Sequence, residues 1–65
     1  CDAQAAQFLL GQSYGPDTLR RALDAAGADE ARMLRPDSII TKEYRAGRLN
    51  VVVDTAGRVL RVHCG

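Results

Sequence analysis

Apolar and polar positions along this chain follow two rhythms, one of about 3.6 residues and one of two. The first is clearest in "GPDTLRRALDAAG", residues 15–27, where Leu19, Ala22, Leu23 and Ala26 stand at i, i+3, i+4 and i+7. That spacing predicts a helix with one apolar face. Pro16 suits its first turn, Asp17 favours the positive end of its dipole, and Gly27 suits the residue just past its end. Ahead of it, "DAQAAQFLL" at residues 2–10 reads as a short helix or turn ended by Gly11.

The two-residue rhythm takes over afterwards. "ARMLR", residues 31–35, reads as a short strand stopped by Pro36, and "RLNVVVD", residues 48–54, as a strand with Leu49, Val51 and Val53 on one face. "DTAGR" at residues 54–58 is a hairpin turn, with Gly57 placed for a left-handed conformation. The last strand is "RVLRVHC". Alternation there puts Leu60, Val62 and Cys64 on the core face and Val59, Arg61 and His63 on the other.

Between the first two strands lies "PDSIITKEYRAGRLN", residues 36–50, a connection of about a dozen residues before the second strand, which is long for a compact domain and points to a functional loop. Ile39, Ile40 and Tyr44 stand there beside Lys42, Glu43, Arg45 and Arg48, a composition unlike that of a disordered segment. A connection of this length also permits a crossover between parallel strands, which would be right-handed. The predicted fold class is α+β: a single small domain over residues 1–65, with one main helix packed on a small mixed β-sheet and the loop standing out from one edge.

Size changes the picture by asking what holds such a domain together. A chain of 65 residues buries roughly 60% of its unfolded surface, so its core alone gives marginal stability. Two cysteines, Cys1 and Cys64, stand at opposite ends. An even count in a tiny domain predicts a disulfide and an oxidising compartment, so a secreted or periplasmic location is expected. A chain starting at cysteine looks processed. The rival reading is a lipid-carrying Cys1, as at the start of a mature bacterial lipoprotein, which would tether the domain to a membrane and leave Cys64 unpaired.

Charge and chemistry mainly exclude. The formal net charge is +1, with two tyrosines, one phenylalanine and no tryptophan, so neither a basic stripe nor an aromatic platform for nucleic acid is present. His63 is the sole histidine. It neighbours Cys64 in a strand, so the two side chains face opposite ways and form no nucleophile–base pair. Cys1, Asp2, His63 and Cys64 match no common zinc spacing. The expectation is a monomer that is not an enzyme and takes no metal or cofactor.

"SIITKEYRAGRLNVVVD", residues 38–54, resembles the reactive-site segment of the potato inhibitor I family, which includes the barley chymotrypsin inhibitor and eglin type. The initial cysteine, "AQFLLGQ", "RLNVVVDTAGR" and the closing "CG" are similar to a narrower group, the fungal elastase-inhibitor family, which shares that fold and has bacterial members. The resemblance implies a helix against a mixed sheet, with a proteinase-binding loop on the parallel crossover. It implies inhibition of trypsin-like or subtilisin-like serine proteinases by a substrate-like loop comprising Ile40, Thr41, Lys42, Glu43, Tyr44 and Arg45.

Matched in order, Lys42 becomes the specificity residue and Lys42–Glu43 the reactive bond, with Arg48 supporting the loop from the following strand. Some relatives carry a second supporting arginine where this chain has Asn50, so Asn50 takes that support position and the brace either has one cation or borrows Arg61 or Arg45. The β-branched Thr41 favours an extended backbone able to pair with a proteinase strand. The alternative function is a non-inhibitory interaction module, secreted or held on the envelope as a lipoprotein, that keeps the fold and uses the loop otherwise.

Overall fold

The computed structural model describes residues 1–37 and 45–65. Its first element is a 3₁₀ helix, Ala3–Leu9, opened by the Asp2 carboxylate, which accepts a hydrogen bond from the Gln4 amide at 3.1 Å. With three residues per turn, Ala3, Ala6 and Leu9 line up on one side. Ala6 and Leu9 are buried and Ala3 packs against them, while Phe8 and Leu10 fall off that stripe and are exposed.

Helix α1 spans Pro16–Ala26, as its pattern predicts, with Pro16 in the first turn. The Gly15 amide donates to Thr18 Oγ1 at 2.9 Å, and Gly27 closes the other end at φ +64°. That left-handed conformation is one glycine adopts without a Cβ penalty. Small residues, Ala22 and Ala26, form the buried face, which lets the helix sit close to the sheet.

Three strands follow: β1 (Glu30–Leu34), β2 (Arg48–Val53) and β3 (Val59–Cys64), in sheet order β1-β2-β3. β1 lies one residue earlier than the sequence pattern places it. It pairs parallel to β2, with Glu30 beside Arg48 and Leu34 beside Val52, so the long connection is a parallel crossover. β2 pairs antiparallel to β3 through the 54–58 turn, where Gly57 has φ +84° and the Asp54 carboxylate accepts from the amides of Ala56 and Arg58, both at 2.9 Å. The fold is α+β with a mixed sheet.

Leu49, Val51 and Val53 of β2 join Val59 and Val62 of β3, Ala22 and Ala26 of α1, and Ala6 and Leu9 in one buried cluster. β3 departs from strict alternation. Val53 faces Val59 whereas Val52 faces Arg61, leaving Leu60 as an extra residue in the strand. Such a bulge shifts the phase of all that precedes it, so Val59 turns into the core and Leu60 out to 47% exposure. The expected core face is corrected at Leu60, whose place Val59 takes, while Val62 faces the core as expected.

The ends of the chain meet. Cys1 and Cys64 form a disulfide with Cα atoms 6.0 Å apart. The Asp2 amide also donates to the Ala26 carbonyl at 2.8 Å, tying the first residues to the end of α1.

Candidate functional site: the two feet of the crossover loop

β2 has a second buried face that its sequence pattern does not announce. Arg48, Asn50 and Val52 are only 6%, 0% and 2% exposed, although they point away from the helix-facing cluster. In-register neighbours on this side are Glu30 beside Arg48, Arg32 and His63 flanking Asn50, and Leu34 and Arg61 flanking Val52. Arg32 is therefore the arginine set directly beside the buried Asn50 amide.

Both donors of that amide and its oxygen are engaged in directed bonds. Asn50 Oδ1 accepts from Arg32 Nε at 3.1 Å, and Nδ2 donates to the His63 carbonyl at 3.3 Å and to the Gly65 oxygen. A buried polar group persists because its bonds are satisfied. The Gly65 amide then donates to the Arg48 carbonyl at 2.9 Å.

The crossover loop leaves the sheet after β1 and returns at the start of β2. On the departing side, Arg35 Nη1 donates to the Asp54 carbonyl at 2.8 Å. On the returning side, the Arg48 amide donates to the Arg45 carbonyl at 3.1 Å, closing a tight turn over residues 45–48. The Gly47 carbonyl accepts from the Asp29 amide at 2.8 Å and the Glu30 amide at 3.4 Å. A side chain at Gly47 would meet Asp29, whose Oδ2 lies 2.5 Å from the position of a Cβ, so glycine permits this approach.

Arg45 Nη1 pairs with Glu30 Oε1 at 3.0 Å, with side-chain exposures of 57% and 45%. Solvent screens such a pair, and measured values for exposed pairs cluster below about 1 kcal/mol. Glu30→Gln is expected to change stability by less than about 0.5 kcal/mol; thermal melts of the two proteins test this, and a larger loss would show that the pair fixes the foot.

Of the candidate residues, Arg45, Arg48 and Asn50 are brought together at the returning foot, and Cys1 and Cys64 are bonded. Ile40, Thr41, Lys42, Glu43 and Tyr44 lie outside the described residues. Arg61 is exposed on the Asn50 side of the sheet, and Arg45 engages Glu30; the cation bonded to Asn50 is Arg32. Arg32 and Gly65 were not foreseeable as partners, because their link to Asn50 exists only once register is set. Among the described residues, no cluster of three or more His, Cys, Asp or Glu is placed to hold a metal ion.

The pattern of the peptidase inhibitor I78 family matches residues 1–65, the full length given. The chain belongs to the peptidase inhibitor I78 family. It is 38% identical over 58 residues to the elastase inhibitor AFLEI of Aspergillus flavus, covering 89% of this chain and 79% of that protein. Elastase inhibitor AFUEI of Aspergillus fumigatus is also 38% identical over 58 residues, covering 89% of this chain and 62% of the relative. A crystal structure of elastase inhibitor AFUEI superposes with a TM-score of 0.73 at 34% identity, covering 97% of this chain and 88% of that one. Its I78 membership is consistent with a chain that is not an enzyme and acts on peptidases as an inhibitor.

Proposed function

We propose that this I78 chain inhibits serine proteinases by presenting the crossover loop as a substrate, with Lys42–Glu43 as the reactive bond, on a fold of the potato inhibitor I kind. The observation that carries the reading is the parallel β1–β2 pair, whose connecting loop returns onto a foot bonded to Asp29 and Glu30. A loop fixed at its ends loses less freedom on binding, and each side chain already ordered avoids roughly 0.5–1.5 kcal/mol of cost.

Ile40 through Arg45 form the contact segment in this reading, with Arg48 and Asn50 as its support. Thr41 lies extended against a proteinase strand, and Lys42 enters the primary specificity pocket. A cation suits the acidic pocket floor of trypsin-like enzymes, whereas elastase-type pockets are small and apolar. The relatives are named elastase inhibitors; the lysine directs this chain toward trypsin-like or subtilisin-like targets instead. After cleavage, the held foot keeps the new Glu43 amine beside the acyl-enzyme, so religation competes with hydrolysis. The disulfide supports a secreted or periplasmic location.

The test is titration of the protein against trypsin, subtilisin and pancreatic elastase, with mass analysis of recovered chains. Stoichiometric inhibition of trypsin or subtilisin, with any slow nick confined to Lys42–Glu43, is expected. Degradation at many bonds without inhibition would leave the non-inhibitory interaction module as the reading; inhibition with a nick elsewhere would move the reactive bond.

A further inference from the structure

We infer that Arg32, Asn50 and Gly65 form a relay across all three strands that fixes the loop's returning foot, making Arg32 and Asn50 positioning residues for resistance to cleavage. The inference rests on the proposed inhibitory reading and adds to it an origin for the loop's persistence that lies outside the loop.

The chain of contacts is continuous. Arg32 on β1 donates to Asn50 Oδ1, and Asn50 on β2 donates to His63 and Gly65 at the end of β3. Gly65 returns its amide to the Arg48 carbonyl, and the Arg48 amide closes the turn onto the Arg45 carbonyl. Asn50 is fully buried, so no water replaces a bond lost there, and an unsatisfied buried group is more costly than an absent one. On the β1 side the foot is tied by the Asp29 and Glu30 amides and the Glu30 carboxylate, and on the β3 side Leu49 is in register with Cys64. The relay adds side-chain restraint to the backbone pairing on the β3 side, and its loss weakens the hold on that flank.

The consequence is kinetic rather than purely thermodynamic. Association needs the contact segment to reach the proteinase, which a loosened foot still allows. Religation needs the new amine held in line with the acyl carbon, where displacement by about 1 Å costs as much as 10²-fold in rate. Relay variants are thus expected to begin as inhibitors and end as substrates.

Two variants address it at different points. Arg32→Met removes one bond from a half-buried position on an edge strand and keeps the stem's packing. Asn50→Asp keeps shape and the acceptor toward Arg32 but places a carboxylate against the His63 and Gly65 oxygens. Ala26→Gly in α1 serves as a control, lowering the melting temperature without touching the relay.

Hydrogen exchange on the free proteins is the first readout, since it needs no proteinase. Faster exchange at residues 45–48 in Arg32→Met, but not in Ala26→Gly, is expected. The second is the rate at which subtilisin or trypsin hydrolyses Lys42–Glu43 in the complex, measured where each variant is folded. That rate is expected to rise about tenfold in Arg32→Met and more in Asn50→Asp, with initial inhibition nearly unchanged. Exchange and cleavage both at parent rates in Arg32→Met would overturn the relay, as would an equal rise in Ala26→Gly. If the parent chain inhibits neither enzyme, the inhibitory reading fails on its own, and unchanged exchange at residues 45–48 would separately dismiss the relay.

Discussion

Lys42→Asp is expected to lower affinity for a trypsin-like proteinase by about 10³-fold or more. In the proposed mode, Lys42 is the one side chain that enters a closed pocket with an acidic floor. The substitution removes a charge-assisted contact and puts a second carboxylate beside the first, and like charges at an interface cost several kcal/mol. Every 1.4 kcal/mol is tenfold in binding, so roughly 4 kcal/mol gives the stated loss. Thermal melting of the variant alongside the inhibition assay separates an affinity effect from unfolding. Retained potency against trypsin in a folded Lys42→Asp protein would show that Lys42 is not the specificity residue. Subtilisin-type enzymes, with shallower demands at this position, should lose less.

The second large effect concerns the disulfide. Cys1 and Cys64 are separated by 63 residues, so their bridge closes nearly the whole chain. In the chain-entropy model, a loop of that size restricts the unfolded state by about 4 kcal/mol. Domains hold roughly 0.05–0.15 kcal/mol per residue, so a chain of this length has a net stability of only several kcal/mol. The double variant Cys1→Ser, Cys64→Ser is expected to melt roughly 15–30 °C lower, at about 4–8 °C per kcal/mol for small domains. Circular dichroism melts measure this. A fall of only a few degrees would mean that the contacts around the ends, such as Asp2 to Ala26 and Gly65 to Arg48, hold them without covalent help.

These predictions draw on features that were unequally legible in the sequence. Helix α1 could be placed because its signals are local: Pro16, the Leu19–Ala22–Leu23–Ala26 stripe, and Gly27, found at φ +64°. The hairpin turn was equally local, built by Gly57 and the Asp54 carboxylate. β3 was legible as a strand but not in phase, because a bulge leaves no mark in an alternation of valine, leucine and arginine, and Leu60 and Val59 exchange roles across it.

The loop could be recognised from its length and residue types, and Arg48 from its place in the matched motif. The meaning of Asn50 could not. Its partners come from positions 32, 63 and 65, and no local rule connects them. A polar residue between Leu49 and Val51 reads as the solvent side of a half-buried strand. The pattern carries no sign that the middle strand is covered on both faces.

The nearness of Cys1 and Cys64, with Cα atoms 6.0 Å apart, has a topological consequence. The segment between two bridged cysteines is a ring, and one cut in a ring releases nothing. If a proteinase opens the bond after Lys42, the pieces on either side stay covalently linked through the disulfide and remain within reach of one another. The nicked protein then differs from the intact one by a single water, and only a reductant together with the cut divides it in two.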